Sequence, residues 1–426
     1  MESIRTLFII RTYSDWWLYP PIGGASLRNW QNINAMMSIG SVGIFCLVGE
    51  EVYTKNKDYI EKPPGIAKWH ISLVKEPKFT RIEKLQQISK QIKSLLTRGH
   101  PFTHTSNYRA SNILLDLKNV LDEFKPDCVI FSEAFVGIYL CDLKAYPVKL
   151  ILDAHNAETE LLRENFKTKR LQNIKQKIRN LIEIVKIEII ERELTRNVDQ
   201  IWTCSKNDIS LLQKLSSKLI KAHIIPNGVN SNHYTNVRLN QVELPYNLSK
   251  SIHTLIFPAV FSTAANSQAV TFLLDLVYPK IKEKYPDCQL LLVGRNPSQQ
   301  MIESSDQDTS IIVTGGVEDM RPYFSVASIF VVPLFQGSGT RLKILEAFAC
   351  CRPVVSTSKG AEGINAISGK HLLIGDTVEE IVSHICDLWS DNLLRERIVQ
   401  NAFELFEKEY SWNAVEAKVK QAIEIL

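Results

Sequence analysis

Short apolar runs, each ending in a cluster of small or polar residues, alternate with longer stretches of helical spacing, and the alternation occurs in two series. That pattern restricts the chain to parallel α/β sheets. A parallel strand is buried on both faces and needs a crossover helix to reach its neighbour. In the first half Thr6–Ile10, Val42–Val48, Cys128–Phe131, Lys149–Asp153 and Gln200–Thr203 read as strands. The clearest helix among them runs from about Arg81 to Arg98, where Ile82, Leu85, Ile88, Ile92 and Leu95 recur at spacings of three and four. A second series follows Ile225-Pro226-Asn227-Gly228-Val229, with strands at His253–Phe257, Gln289–Val293, Ser310–Val313, Ile329–Val332 and Pro353–Ser356. The polar stretch from Pro226 to about Lys250 reads as the boundary. Two doubly wound, Rossmann-like domains with a cleft between them are expected, with ligands outside the carboxyl ends of the strands.

Composition agrees with two separate cores. Of 426 residues, 45% are hydrophobic and 23% charged, which excludes a disordered or fibrous chain. No apolar run approaches the ~20 residues of a membrane span. Leu7–Ile10 before Arg11 is too short for a signal-peptide core, so a cytoplasmic location is expected. Eight cysteines without a Cys-x-x-Cys pair, and nine histidines without ligand spacing, predict neither a disulfide framework nor a metal site. Charge is uneven: residues 1–226 hold 33 Lys and Arg against 24 Asp and Glu, +9, while the rest sum to −5. The basic half suits an anionic partner such as phosphate groups, acidic lipid or acidic glycan. It lacks the arginine stripe with interleaved aromatics of a nucleic-acid binder, so no nucleic-acid partner is expected.

Three segments carry candidate chemistry. Pro20-Pro21-Ile22-Gly23-Gly24-Ala25-Ser26 precedes a helix, and paired glycines let backbone approach a ligand there. It matches neither the dinucleotide fingerprint nor a P-loop. Leu152-Asp153-Ala154-His155-Asn156-Ala157-Glu158 puts His155 at a strand's carboxyl end, where an imidazole can move a proton at a bound substrate. The third runs from Val331 through Gly337-Ser338-Gly339-Thr340-Arg341-Leu342-Lys343 to Glu346-Ala347, a strand, a small-residue loop and a helix beginning near Thr340. Exposed amides at that helix start, with Arg341 and Lys343 nearby, suit a diphosphate. Glu346, about two turns in, suits ribose hydroxyls.

The run Gly337 to Ala347, continued by Arg352-Pro353-Val354-Val355-Ser356-Thr357 and Gly360-Ala361-Glu362-Gly363, resembles the donor-binding signature of retaining glycosyltransferases of family 4, which have the two-domain GT-B fold. Other segments agree in the family's order. Gly23-Gly24 resembles its N-terminal glycine loop, Asp153–Glu158 the strand end bearing its active-site His, and Ile225–Val229 its interdomain linker. Gly315–Tyr323 resembles the segment passing the nucleotide base, and Tyr410-Ser411-Trp412 the start of a last helix that returns to the N-terminal domain. The resemblance implies an acceptor-binding domain over residues 1–226, a nucleotide-sugar donor domain over 227–409, and a returning helix over 410–426. It implies catalytic roles for His155 and Glu346, with Asn156 and Glu158 orienting His155 or meeting the acceptor. Gly23, Gly24, Gly294, Val317, Asp319, Gly337, Ser338, Gly339, Thr340, Arg341, Lys343 and Glu346 are the implied donor-binding residues.

Two departures stand out. Ser338 occupies the position of the first Glu of the family's Glu-x7-Glu motif, and the strand end Phe257-Pro258-Ala259-Val260-Phe261 lacks its glycine. The Arg/Lys pair that follows in many members is missing between Ser262 and Gln268, which shifts phosphate charge to Arg341 and Lys343. The reaction implied is sugar transfer from a nucleotide diphosphate sugar to an acceptor hydroxyl, with retention and without a metal or cofactor. Lys78 to Arg109 holds seven Lys or Arg against one acid, and Lys167 to Arg179 is similarly basic. A peripheral enzyme on the inner face of an anionic membrane, extending a lipid-linked or cell-surface glycan, is the expected setting. The departures favour a rival reading as a non-catalytic GT-B binding or partner subunit. An epimerase of the same fold and a nicotinamide dehydrogenase fit the residues less well.

Overall fold

A computed structural model of the chain describes residues 3–12, 24–57, 60–75, 107–168, 174–216, 218–245, 248, 252–337 and 341–426. The helix expected over Arg81–Arg98 and the glycine-loop residue Gly23 lie outside them. The chain divides into two compact units, Met1–Ile225 with Glu416–Leu426, and Pro226–Val415.

The first unit is built on a seven-stranded sheet in the order β3-β2-β1-β4-β5-β6-β7, parallel throughout. Its strands are β1 Ile4–Thr12, β2 Gly40–Gly49, β3 Lys68–Val74, β4 Cys128–Ser132, β5 Lys149–Ala154, β6 Gln200–Thr203 and β7 Ala222–Ile224. The five strands expected from apolar runs occupy its centre. The two that the sequence pattern does not reveal, β3 and β7, are the edges. In Lys68-Trp69-His70-Ile71-Ser72-Leu73-Val74 polar residues interrupt the apolar ones, since an edge strand buries only part of its surface. Helix α1 (Gly24–Met37) connects β1 to β2. Helix α2 (Ser111–Phe124) lays Ile113, Leu117, Val120 and Leu121 on the core at helical spacing. It stops where Lys125 turns left-handed, φ 47°, and returns its N–H to the Leu121 carbonyl. Helices α3 (Glu158–Thr168) and α4 (Ile174–Asn197) follow β5, and Leu194 and Ile190 of α4 are buried in the core. Within this unit the Gln200 side chain donates to the Ala422 carbonyl at 2.7 Å, fixing the end of the last helix, α6 (Trp412–Glu424).

The second unit has a six-stranded parallel sheet in the order β10-β9-β8-β11-β12-β13. Its strands are β8 Thr254–Pro258, β9 Gln289–Val293, β10 Ile311–Gly315, β11 Ile329–Val332, β12 Val354–Ser356 and β13 Leu373–Ile374. Again the five expected strands form the sheet, and the two-residue edge β13 is the addition. Helix α5 (Leu342–Ala349) follows β11 and buries Ile344, Leu345, Ala347 and Phe348. It starts at Leu342 rather than near Thr340, because Arg341 has non-helical backbone angles, φ −82° and ψ 81°. The α/β class and the pair of doubly wound sheets are thus as the sequence predicts. Among the described residues, no helix is long and apolar enough to cross a membrane.

Strand order reverses between β1 and β4 in the first sheet, and between β8 and β11 in the second. A crevice opens at the carboxyl ends on either side of such a reversal.

Gly294, just after β9, has φ +144°, and a Cβ there would stand 1.8 Å from the Ala259 carbonyl oxygen. The Gly294→Ala variant is therefore expected to lose about 2–4 kcal/mol of stability, read from urea unfolding of the full chain. A loss below about 0.5 kcal/mol would contradict this close approach.

Candidate functional site

In the first unit, the carboxyl ends of β1, β4 and β5 gather polar side chains that a helix–sheet interface ordinarily excludes. Helix α1 buries Arg28, Asn29, Gln31 and Asn32. Arg28 is 1% exposed and Asp153, near the end of β5, is fully buried. Arg28 Nε donates to Asp153 Oδ1 at 2.8 Å, and its Nη1 to the Ile225 carbonyl at 2.7 Å. Asn32 Nδ2 donates to the other carboxylate oxygen at 2.7 Å, and Ser132 donates to Asn29 Oδ1 at 2.9 Å. Burial works to raise the Asp153 carboxyl, but the Arg28 charge and the bonds from His155 and Arg28 hold it below its ordinary value.

His155, two positions further on, is nine-tenths buried, with Nε2 3.6 Å from Asp153 Oδ2. Its carbonyl accepts from Cys204 Sγ at 3.2 Å. The carboxylate facing the ring is Asp153. Asn156 instead donates to Glu158 Oε1 at 3.2 Å. Burial pushes the Glu158 carboxyl up, and the Asn156 hydrogen bond opposes it; Glu133 adds to the rise, while His155 and Arg11 lower it. Glu133 sits just after β4 at φ 78°, ψ 157°, a region that costs a residue other than glycine about 1–3 kcal/mol. Its side chain accepts from Arg11 Nε at 2.8 Å, and the Arg11 guanidinium lies 3.8 Å from the Phe135 ring centre. Beneath this surface Glu191 of α4, fully buried, accepts from the Glu158 N–H at 2.7 Å, the Thr159 N–H at 2.9 Å and the Thr159 hydroxyl. It thereby satisfies the first turn of α3 from inside the unit.

In the second unit, the carboxyl ends of β8, β9 and β11 frame the other candidate residues. Gly294 is needed for backbone packing against Ala259, and next to it the exposed Arg295 crosses Gly316, where a Cβ would meet its side chain at 3.1 Å. Val317 packs on the core, and Asp319 is held by Arg321 Nε at 2.9 Å. Gly337 has φ +101°, and its carbonyl accepts from Arg341 Nη2 at 2.7 Å. Ser338, Gly339 and Thr340 lie outside the described residues, and Gly24 is the exposed first residue of α1.

Lys343 and Glu346 form the chemical centre of this unit. Lys343 Nζ is 4.1 Å from the Phe257 ring centre and donates to Asn266 Oδ1 at 3.2 Å. Burial, and then the Arg341 charge, push its amine down to about 7, with Glu346 opposing. Burial pushes the Glu346 carboxyl up to about 7 against the Tyr234 hydroxyl, which donates to it at 2.9 Å, and against Lys343. Each of the two ionisable side chains is therefore poised near its titration midpoint at neutral pH. Phe257 and Asn266 lie in the stretch where the family pattern is broken, and they are the residues that hold Lys343. Sequence reasoning missed Tyr234, Arg28, Asn32, Arg11 and Glu133. The one available signal was the run of polar residues on the inner face of α1. Among the described residues, no group of three or more His, Cys, Asp or Glu is placed to hold a metal ion.

Residues 253–391 match the model of the family Glycosyl transferases group 1. The two-unit architecture is the GT-B fold. It is shared with sucrose-phosphate synthase from Thermosynechococcus elongatus, 16% identical with TM-score 0.69, over 99% of this chain and 98% of that one. HepE from Anabaena, solved in complex with UDP, is 12% identical with TM-score 0.65 over 99% and 100%. WaaG, a glycosyltransferase involved in lipopolysaccharide biosynthesis, is 13% identical with TM-score 0.61 over 99% of each chain. An uncharacterized 44.6 kDa protein in the cps region of Klebsiella pneumoniae is 28% identical over 153 residues, 34% of this chain. The matched stretch spans 39% of that protein's length.

Removing one member of the buried Arg28–Asp153 pair leaves the other charge buried without its ion-pair partner. Arg28→Met is expected to cost about 3–5 kcal/mol in urea unfolding, part of which returns in Arg28→Met/Asp153→Asn. A single-variant loss under about 1 kcal/mol would remove the pair from this structural role.

Proposed function

Starting from a Glycosyl transferases group 1 domain at residues 253–391 in a GT-B fold, we propose that this chain is a glycosyltransferase moving a sugar from a nucleotide diphosphate sugar to an acceptor hydroxyl. The observation that carries the reading is the Lys343–Glu346 pair on α5, half-buried at the strand-order reversal of the second sheet. A lysine that burial brings to about 7 is driven to its fully protonated form when a diphosphate arrives, so positive charge is concentrated where the leaving group needs it. The Arg341 guanidinium adds to that field. Glu346, fixed by Tyr234, takes the ribose hydroxyls. His155, held by Asp153, serves the reacting sugar or the acceptor.

The finer reading follows the sequence: transfer with retention, no metal or cofactor, and a role in cell-surface or lipid-linked glycan synthesis in the cytoplasm. The complex of HepE with UDP-glucose supports a nucleotide-sugar donor, and the likeness to WaaG, involved in lipopolysaccharide biosynthesis, supports a glycan product. Anionic membrane is the proposed surface partner. On α4, Ile174, Ile178, Leu181 and Val185 are exposed at helical spacing beside Lys177 and Arg179, an arrangement that suits the interfacial region of a bilayer. A second reading, binding without turnover, draws on Arg341, whose guanidinium is turned toward the Gly337 and Lys359 carbonyls.

A thermal-shift screen of the full chain against UDP, GDP, ADP, dTDP and CMP tests the donor site. Ligand at about 100 times its dissociation constant adds roughly 2.7 kcal/mol, a clear rise in Tm. No response to any of the five would count against the reading. His155→Ala is expected to keep that shift and lose about 100-fold or more in transfer. Equal turnover in the variant would remove His155 from the reaction, and nucleotide binding with no transfer by the native protein would favour binding without turnover.

Calorimetry tests the lysine. Because the Lys343 amine of the free protein titrates near 7 and a diphosphate raises it, nucleotide binding above pH 7 is expected to take up a proton. Affinity then falls as pH rises from 7 to 9, and Lys343→Met abolishes the uptake. Absence of proton uptake at pH 8 in buffers of different ionisation enthalpy would contradict a diphosphate at Lys343.

A further inference from the structure

Arg11, Glu133, Asn156 and Glu158 converge at the carboxyl ends of β1, β4 and β5, spanning the strand-order reversal of the first sheet. Donors and acceptors alternate within the group. Arg11 Nε bonds Glu133 Oε1 at 2.8 Å, Asn156 Nδ2 bonds Glu158 Oε1 at 3.2 Å, and Glu158 interacts electrostatically with Glu133, His155 and Arg11. An aromatic corner adjoins them. Tyr108 and Phe135 meet edge to face, 5.0 Å between ring centres, with the Arg11 guanidinium 3.8 Å from the centre of Phe135. All six of these side chains are partly exposed, so the corner and the polar group face solvent.

Glu133 carries the argument. Its φ of 78° and ψ of 157° belong to a region that glycine occupies freely and other residues do not. The backbone does not call for a carboxylate there, since the Glu133 N–H that joins the Asp153 carbonyl at 3.0 Å would be present in glycine too; the side chain's hydrogen bond is to Arg11, a member of the same polar group. A strained position held by a charged side chain, instead of the residue that relieves it, marks a side chain with a task.

The chemistry selects the ligand. Two carboxylates repel a phosphate, and one guanidinium salt-bridged to one of them leaves little net positive charge to attract it. A neutral ring with vicinal hydroxyls fits: each hydroxyl both donates to a carboxylate and accepts from the guanidinium or amide, and the C–H face rests on an aromatic corner. We propose that Arg11, Glu133, Asn156 and Glu158, with Tyr108 and Phe135, bind a sugar ring of the acceptor. The inference rests on the glycosyltransferase reading and names its acceptor class, a neutral glycoside in place of a lipid phosphate.

The test is saturation-transfer NMR on the full chain with methyl glycosides of glucose, galactose, mannose, rhamnose and N-acetylglucosamine, run beside the UDP thermal shift. The native protein is expected to bind at least one glycoside, and Glu133→Gln and Arg11→Met to weaken it tenfold or more while the UDP shift stays. Glu133→Gly separates site from scaffold: its Tm is expected to rise by about 2–4 °C, because the backbone strain is relieved, as glycoside binding is lost. No glycoside bound by the native protein, or binding unchanged in Glu133→Gln and Glu133→Gly, overturns the proposal. Loss of the UDP response in the native protein would instead strike at the donor reading, which the glycoside signal does not test.

Discussion

The first unit depends on a buried ion pair. Arg28 reaches from α1 to Asp153 on β5 and to the Ile225 carbonyl, so the helix, the strand and the end of the unit's first segment are fastened by one guanidinium. A buried pair contributes little net stability compared with apolar packing, but losing its geometry is costly. That geometry sets the carboxylate 3.6 Å from the His155 ring, with Asn32 on the same oxygen. The cost of burying two charges therefore fixes where an imidazole stands.

The second unit treats charge in the opposite way. Lys343 and Glu346 are not locked into a salt bridge; each has its own neutral or aromatic partner, Asn266 and Phe257 for the amine and Tyr234 for the carboxyl. Burial brings both to about 7, where small changes in the surroundings change their protonation. Locked charge in one unit and adjustable charge in the other follow from one physical fact, the expense of a bare ion out of water.

The central strands were legible because both their faces are buried, which writes them as unbroken apolar runs such as Val42–Val48. Edge strands β3, β7 and β13 were not, since half-exposed or very short segments carry no such run. His155, Lys343 and Glu346 were legible because they sit in local patterns at strand ends. Arg28, Tyr234 and Asn266 were not: their partners Asp153, Glu346 and Lys343 lie 125, 112 and 77 positions away, and no local spacing records such a meeting. Glu133 was invisible for another reason, as a backbone angle leaves no mark on the residue's identity unless the residue is glycine.

Glu191 fills the start of α3 from within, accepting from two backbone amides and one hydroxyl just beyond His155. Helix starts elsewhere are open receptors for anions. Here the chain has supplied the guest itself, so this corner of the first unit is closed to a foreign phosphate before any ligand arrives. A descendant that exchanged the glutamate for a small residue would bare three donors at once, converting a sealed joint into a vacant anion seat beside the histidine.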